Sequence, residues 1–172
     1  GNLPYNISSP LLFHLAQFET RLTDLHVMLQ REVVARMTAA PATADYGRLS
    51  VMLQSTFAVT RLFTVPGGAF RPAPKVESAV ARLVPLGTAK PAIADRTVFA
   101  RVVGAAFSQR RKTLRNALSA VCDAGAIEAA GIDPRARGET LSVTQFVRLA
   151  NLLAQSGELM NDPLDILTGG DA

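Results

Sequence analysis

Asn2-Leu3-Pro4-Tyr5 is the tetrapeptide whose residue types could perform the most specific chemistry in this chain. The Asn2 side-chain carbonyl and a neighbouring backbone carbonyl fixed by the following proline offer two hydrogen-bond acceptors at short spacing. Aimed at the two protons of an exocyclic amine such as that of adenine, they favour the pyramidal, electron-rich nitrogen that attacks a methyl donor. Without them the lone pair is delocalised into the ring. An aromatic side chain beside the acceptors gives a face on which a base drawn out of its helix can stack. Asn2, Leu3 and Tyr5 fit these roles. A plain proline turn leading into a helix would use the same residues, so the tetrapeptide alone leaves both readings open.

Charge gives the second signal. The 172 residues carry 18 basic and 14 acidic side chains, a net +4. Residues 1 to 90 hold nine basic and five acidic groups, and residues 91 to 172 hold nine of each but unevenly placed. Arg96, Arg101, Arg110, Arg111, Lys112 and Arg115 fall in one stretch without an acid, while the chain beyond residue 123 is acidic. A polyanion would be drawn to the first part and repelled by the second. On a helix from Ser108 to Val121, Phe107, Leu114, Leu118 and Val121 would lie within about 60° of one another, with Arg111, Lys112 and Arg115 on the adjoining arc. That geometry predicts a helix docked by one flank and basic on the next, with Arg110, Arg111, Lys112 and Arg115 as phosphate contacts that position a nucleic acid without reading its sequence. A solvated amphipathic face is the bland alternative, though such faces usually mix signs.

Other chemistries find no support. His14 and His26 lie in apolar segments without a Ser, Cys or carboxylate at useful spacing, and all three of His14, His26 and Cys122 read as structural. A single cysteine allows no internal disulfide, which makes a reducing, cytoplasmic setting the expectation. HExxH, CxxC, P-loop and nucleophile-elbow patterns are missing, and no apolar run approaches the roughly 18 residues of a membrane span. Methyl transfer suits such a chain, because an amine and a sulfonium donor need alignment more than an acid-base pair.

These groups need elements to position them. Ser8 or Ser9 can cap a helix opening with Pro10 and carrying Leu11, Leu12, Leu15 and Phe18. Leu25 to Leu29 reads as a strand covered on both faces, and Glu32 to Ala39 as a helix ending before Pro41. After Tyr46-Gly47 a helix is expected over Leu49 to Thr56, then strands over Phe57 to Val65 and Ser78 to Val84. Residues 1–86 thus read as the second half of an α/β sheet ending in a hairpin-like pair, 87–95 as a linker, 96–156 as a small all-α domain, and 157–172 as a flexible acidic tail. Helices are expected over Thr97 to Phe107 and Ser108 to Val121, and Ser142 to Gln145 is a capping box for a last one. Gly1 to Tyr5 reads as the exit of a strand, which places that strand upstream.

In order along the chain, Asn2 to Leu15, Met28 to Met37, Tyr46 to Gln54, Phe70 to Leu83 (FRPAPKVESAVARL), Phe107 to Leu118 (FSQRRKTLRNAL) and Glu139 to Asn151 (ETLSVTQFVRLAN) resemble the ribosomal RNA adenine dimethyltransferases, bacterial small-subunit members above all. The resemblance implies a Rossmann-like methyltransferase sheet followed by a helical domain. The implied activity is S-adenosylmethionine-dependent dimethylation of the exocyclic amine of adenines in small-subunit ribosomal RNA. It further implies a role in ribosome biogenesis and action on that RNA or a pre-ribosomal subunit; a monomer not held in a membrane is expected. Asn2, Leu3, Pro4 and Tyr5 then form the catalytic motif, with Asn2 also near the donor. Phe70 resembles the second aromatic closing on the flipped adenine, and Arg71 and Lys75 would lie near phosphates; read without the resemblance, 70–76 is a plain proline-stiffened connection, and a solvated rim fits Arg71 and Lys75 as well. The sequence departs from the family at its front. No Gly-rich turn follows a first strand, so the S-adenosylmethionine pocket is expected to be mostly missing and the chain alone inactive. The alternatives are a non-catalytic RNA-binding or ribosome-assembly module and, since Asn-Leu-Pro-Tyr alone does not separate RNA from DNA, a DNA adenine methyltransferase.

Overall fold

The computed structural model describes residues 1–157. The tail expected from 157 onward therefore lies outside the described residues, apart from Gly157. The chain divides between Pro91 and Ala92 into two compact units.

The first unit is built on three strands, β1 (Leu25–Gln30), β2 (Phe57–Val65) and β3 (Ser78–Pro85), in the order β1-β3-β2. β3 is antiparallel to both neighbours, so β1 and β2 run in the same direction. Their connection carries two helices, α2 (Arg31–Thr38) and α3 (Arg48–Gln54), after α1 (Ser8–Ala16), which precedes the sheet. Cross-strand partners share a face, and the rows Val27–Ala81 and Leu29–Ala79 join Leu83 in a core with Leu12, Val34, Met37, Leu53 and Phe57. The other face of β1 is open at His26 and half-buried at Met28. That strand was expected to be covered on both faces, and among the described residues it is buried on one.

Local chemistry sets the helix limits. A 3-10 turn at Tyr5–Ile7 runs directly into α1, whose cap is Ile7 with no side-chain bond, so neither Ser8 nor Ser9 caps it. Pro10 sits at the third helical position, still within the first turn, where its missing N–H has no intrahelical partner to lose. α2 ends where Gln54 Nε2 donates to the carbonyls of Met37 and Ala39, both at 2.9 Å, satisfying groups the helix leaves over. Gly47 caps α3, its N–H donating to Ser50 Oγ at 3.0 Å.

In the second unit α4 (Arg96–Ser108) is capped by Asp95, whose carboxylate accepts from the N–H groups of Thr97 at 2.7 Å and Val98 at 3.1 Å. The single helix expected from Ser108 to Val121 is not formed. Ser108 ends α4, residues 109–112 make a turn, and α5 spans only Leu114–Ala117. The reason is long-range: the N–H of Leu114 donates to the carbonyl of Ala136 at 2.8 Å and that of Arg115 to Pro134 at 2.9 Å. A continuous helix would have sent these amides back into its own preceding turn. Leu114, Leu118 and Val121 are nonetheless buried. A short α6 (Ala124–Ala129), capped by Asp123, was not expected from the sequence. The last helix, α7 (Val143–Ser156), has the capping box of Ser142 and Gln145 and ends at Gly157, whose φ of 66° is left-handed.

The stretch 87–95 is fastened at both ends. Residues 87–89 form a 3-10 turn, and Lys90 pairs with the Glu19 carboxylate. Asn151 on α7 donates to the Ala92 carbonyl at 2.7 Å and accepts from the Ala94 N–H at 2.8 Å.

Candidate functional site

Residues 1–3 lie along β1 in parallel. The Met28 N–H donates to the Gly1 carbonyl at 2.9 Å and the Leu3 N–H to the Met28 carbonyl at 3.1 Å. Three backbone segments, 1–3, β1 and β2, therefore point the same way, and the turn at Pro4 and the loop after Val65 leave the sheet at its carboxyl end. Open α/β sheets bind ligands outside that end.

A cleft of about 340 Å³ opens there, lined by Asn2, Leu3, Pro4, Phe70, Pro72 and Pro74. Its volume falls at the lower end of the roughly 300–1,000 Å³ usual for small-ligand sites. Leu3 precedes a proline, which restricts it to extended conformations and fixes where its carbonyl points. The Leu3 N–H is spent on Met28, and no described residue donates to the Leu3 carbonyl or the Asn2 side chain. Both acceptors remain for a ligand. Tyr5 begins the 3-10 turn directly after the cleft-lining Pro4, and its ring lies outside the described part of the structure.

Phe70 is held opposite by a folded-back loop. The N–H groups of Ala69 and Phe70 donate to the carbonyls of Pro66 and Gly67 at 3.0 and 3.1 Å, and a Cβ on Gly67 would stand 3.1 Å from the Pro74 carbonyl. Gly67 is thus where two backbones approach closely, a use of glycine that the sequence did not single out. Arg71 and Lys75 are exposed on this loop.

Three of the four basic candidates of the second unit, Arg110, Arg111 and Lys112, lie on the turn at 109–112. Arg110, Arg111 and Lys112 line a concavity with Ser108 and Gln109, and Arg115 is exposed at the start of α5. Arg110 Nε donates to Glu139 at 2.8 Å. No carboxylate among the described residues pairs with Arg111, Lys112 or Arg115. The acid beside Arg110 comes from 29 residues along the chain, which is why the charge pattern around Arg110 did not reveal it.

Strand order β1-β3-β2, the crossover through α2 and α3, and a cleft at the strands' carboxyl end define part of an α/β methyltransferase fold with a helical unit after it. The family model for ribosomal RNA adenine dimethylase matches residues 1–155, and the chain belongs to that family. It is 61% identical over 152 residues to the ribosomal RNA small subunit methyltransferase A of Xanthomonas campestris pv. campestris strain B100, covering 88% of this chain and 58% of the relative. With the protein of the same name from Aromatoleum aromaticum the identity is 58% over 154 residues, covering 90% and 58%. The chain thus spans somewhat over half the length of these relatives. A dimethyladenosine transferase from Plasmodium falciparum shares the fold at a TM-score of 0.80 and 23% identity, over 93% of this chain and 67% of that one. The 23S rRNA methyltransferase ErmE matches at 0.58 and 25%, over 90% and 64%.

A methyl donor of the S-adenosylmethionine type needs a close backbone turn for its methionine and acceptors for its ribose hydroxyls. The cleft lining supplies Asn2, one backbone carbonyl, an aromatic ring and prolines, with no carboxylate and no glycine. These residues do not make a donor pocket.

Proposed function

We propose that this chain is the adenine-accepting and RNA-contacting part of an S-adenosylmethionine-dependent dimethyltransferase acting on adenines of small-subunit ribosomal RNA, with a place in ribosome biogenesis. The observation that carries the reading is the cleft in which Asn2, Leu3 and Pro4 face Phe70. The Asn2 and Leu3 carbonyls accept from the two protons of the adenine amine and orient its lone pair away from the ring. Tyr5 and Phe70 enclose the extruded base, each stacking contact contributing about 1–3 kcal/mol. The cleft opens at the carboxyl end of β1 and β2, the end of an open α/β sheet outside which ligands bind, and the methyl donor would have to be held beside it.

Arg71 and Lys75 at the cleft rim, and Arg111, Lys112 and Arg115 on the second unit, take RNA phosphates, with Arg110 at the base of their turn. A cytoplasmic monomer is part of this proposal. No helix among the described residues is long and apolar enough to cross a membrane. The test is a chimera in which the N-terminal part of the Xanthomonas campestris relative precedes Gly1, incubated with S-adenosylmethionine and undermethylated small ribosomal subunits. Dimethyladenosine, detected by mass spectrometry of the digested RNA, is the expected product. RNA binding without any methyl transfer would instead favour a non-catalytic assembly module.

A further inference from the structure

We propose that Glu139 is a positioning residue for the basic turn at 109–112, holding Arg110 so that Arg111 and Lys112 are presented to RNA phosphates despite the negative charge Glu139 brings. The inference rests on the RNA-contacting reading of that turn. A carboxylate beside phosphate-binding cations is unfavourable on charge alone, since it repels the polyanion they attract. Its placement therefore calls for a geometric reason.

The surroundings supply one. Residues 109–112 have left α4, and beyond them the Ala136 and Pro134 carbonyls take the amides of Leu114 and Arg115 at the start of α5. The segment offering those carbonyls is itself ordered. Asp133 Oδ1 accepts from the Arg135 N–H at 2.9 Å, and that bond, with the Arg135 side chain, holds the Asp133 carboxyl below its usual range. Further on, the 3-10 turn Gly138–Thr140 is pressed against α4, so that a Cβ on Gly138 would lie 2.9 Å from the Ala106 carbonyl. Glu139 stands on that fixed base, its side chain 25% exposed, and its carboxylate meets Arg110 Nε at 2.8 Å. The segment 133–140 thus fastens the basic turn at two places, through the amides after it and through Arg110 within it. Long cationic side chains on a loose turn would have to be ordered when RNA binds, and that cost would subtract from affinity. Glu139 meets part of it in advance.

Charge and positioning predict opposite signs. The 172-residue chain is titrated with a fluorescein-labelled RNA hairpin carrying unpaired loop adenines, over a salt series, with circular dichroism as the folding control. Glu139→Ala is expected to weaken binding about threefold to tenfold, the scale of one long side chain left to be ordered on binding. It should also flatten the slope of log affinity against log salt by up to about one unit. Glu139→Gln keeps an acceptor for Arg110 Nε and is expected to stay within about twofold of wild type, with the wild-type slope. Tighter binding by both variants would overturn the proposal, leaving Glu139 as a mere repulsive charge, and so would wild-type affinity and slope in Glu139→Ala. If that variant failed to fold, Glu139→Gln would still decide, because a marked gain in its affinity is the repulsive outcome. A third variant with Arg111, Lys112 and Arg115 all changed to Gln separates the two levels: undiminished RNA binding there would refute the RNA-contacting reading itself, whatever Glu139 does.

Discussion

Two glycines of the second unit, Gly138 and Gly104, should respond oppositely to the same added methyl group. On Gly138 a Cβ would lie 2.9 Å from the Ala106 carbonyl oxygen, 3.2 Å from its Cβ and 3.3 Å from its carbonyl carbon. Ordinary contact begins at 3.4 Å, so the 3-10 turn and α4 would have to part by about half an ångström. Ala106 is 2% exposed and belongs to a hydrogen-bonded helix, so it cannot yield alone. Overpacking of this kind costs about 1–3 kcal/mol, while restricting the unfolded chain returns roughly 0.4–1 kcal/mol. Gly138→Ala should therefore lose about 0.5–2 kcal/mol net. Gly104, inside α4, has nothing within 4 Å of its added Cβ, and Gly104→Ala should gain about 0.5–1 kcal/mol from helix propensity. Urea denaturation followed by far-ultraviolet circular dichroism measures both, and a thermal scan should shift by about 4–8 °C per kcal/mol for a unit of this size. A Gly138→Ala protein as stable as wild type would refute the close approach, and a destabilised Gly104→Ala would refute the open space beside α4.

Asp95→Ala removes the carboxylate that accepts from the Thr97 and Val98 amides, and should cost about 0.5–2 kcal/mol in the same urea assay. Tyr46 is fully buried, and burial pushes its phenol up to about 12. Because the folded value lies above the unfolded one near 10, the unfolded state loses its proton first, so stability is intact below about pH 10 and falls as pH rises toward 12. Urea midpoints at several alkaline pH values should decline more steeply for wild type than for Tyr46→Phe, and equal declines would contradict the buried phenol. Replacing Arg111, Lys112 and Arg115 by Gln should leave the circular dichroism unchanged and flatten the salt dependence of RNA binding by about two units.

The strands were legible because β-branched and apolar residues bounded by turn formers have few other solutions: Phe57–Val65 holds its expected limits, and Ser78 begins β3. The capping box at Ser142 was equally local and equally readable. The basic segment was not, because its projection assumed a helix that depends on neighbours near in sequence. Its amides at 114 and 115 are taken instead by carbonyls about twenty residues away, and no pattern around Ser108 announces that. The start of α1 was misplaced for a related reason, since a preceding 3-10 turn supplies its cap where a serine hydroxyl was expected. In the cleft, Asn2 to Pro4 carried a readable chemical pattern. Gly67 and Glu139 did not: one matters through a close approach to Pro74 and the other through an ion pair with Arg110, and both are visible only after folding.

The proposed capture of an adenine drawn out of its stack takes place in the cleft between Asn2-Leu3-Pro4 and Phe70. Its most direct test is methyl transfer and RNA affinity measured side by side in the chimera carrying the relative's N-terminal part, for wild type, Asn2→Ala and Phe70→Ala. Affinity comes mainly from phosphates and should change little, whereas the rate should fall about a hundredfold or more in Asn2→Ala, the scale of losing one oriented hydrogen-bonding group at a reacting centre. Phe70→Ala should lower the rate about 5- to 100-fold, the equivalent of one stacking contact. Dimethyladenosine formed at the wild-type rate by both variants would contradict the account.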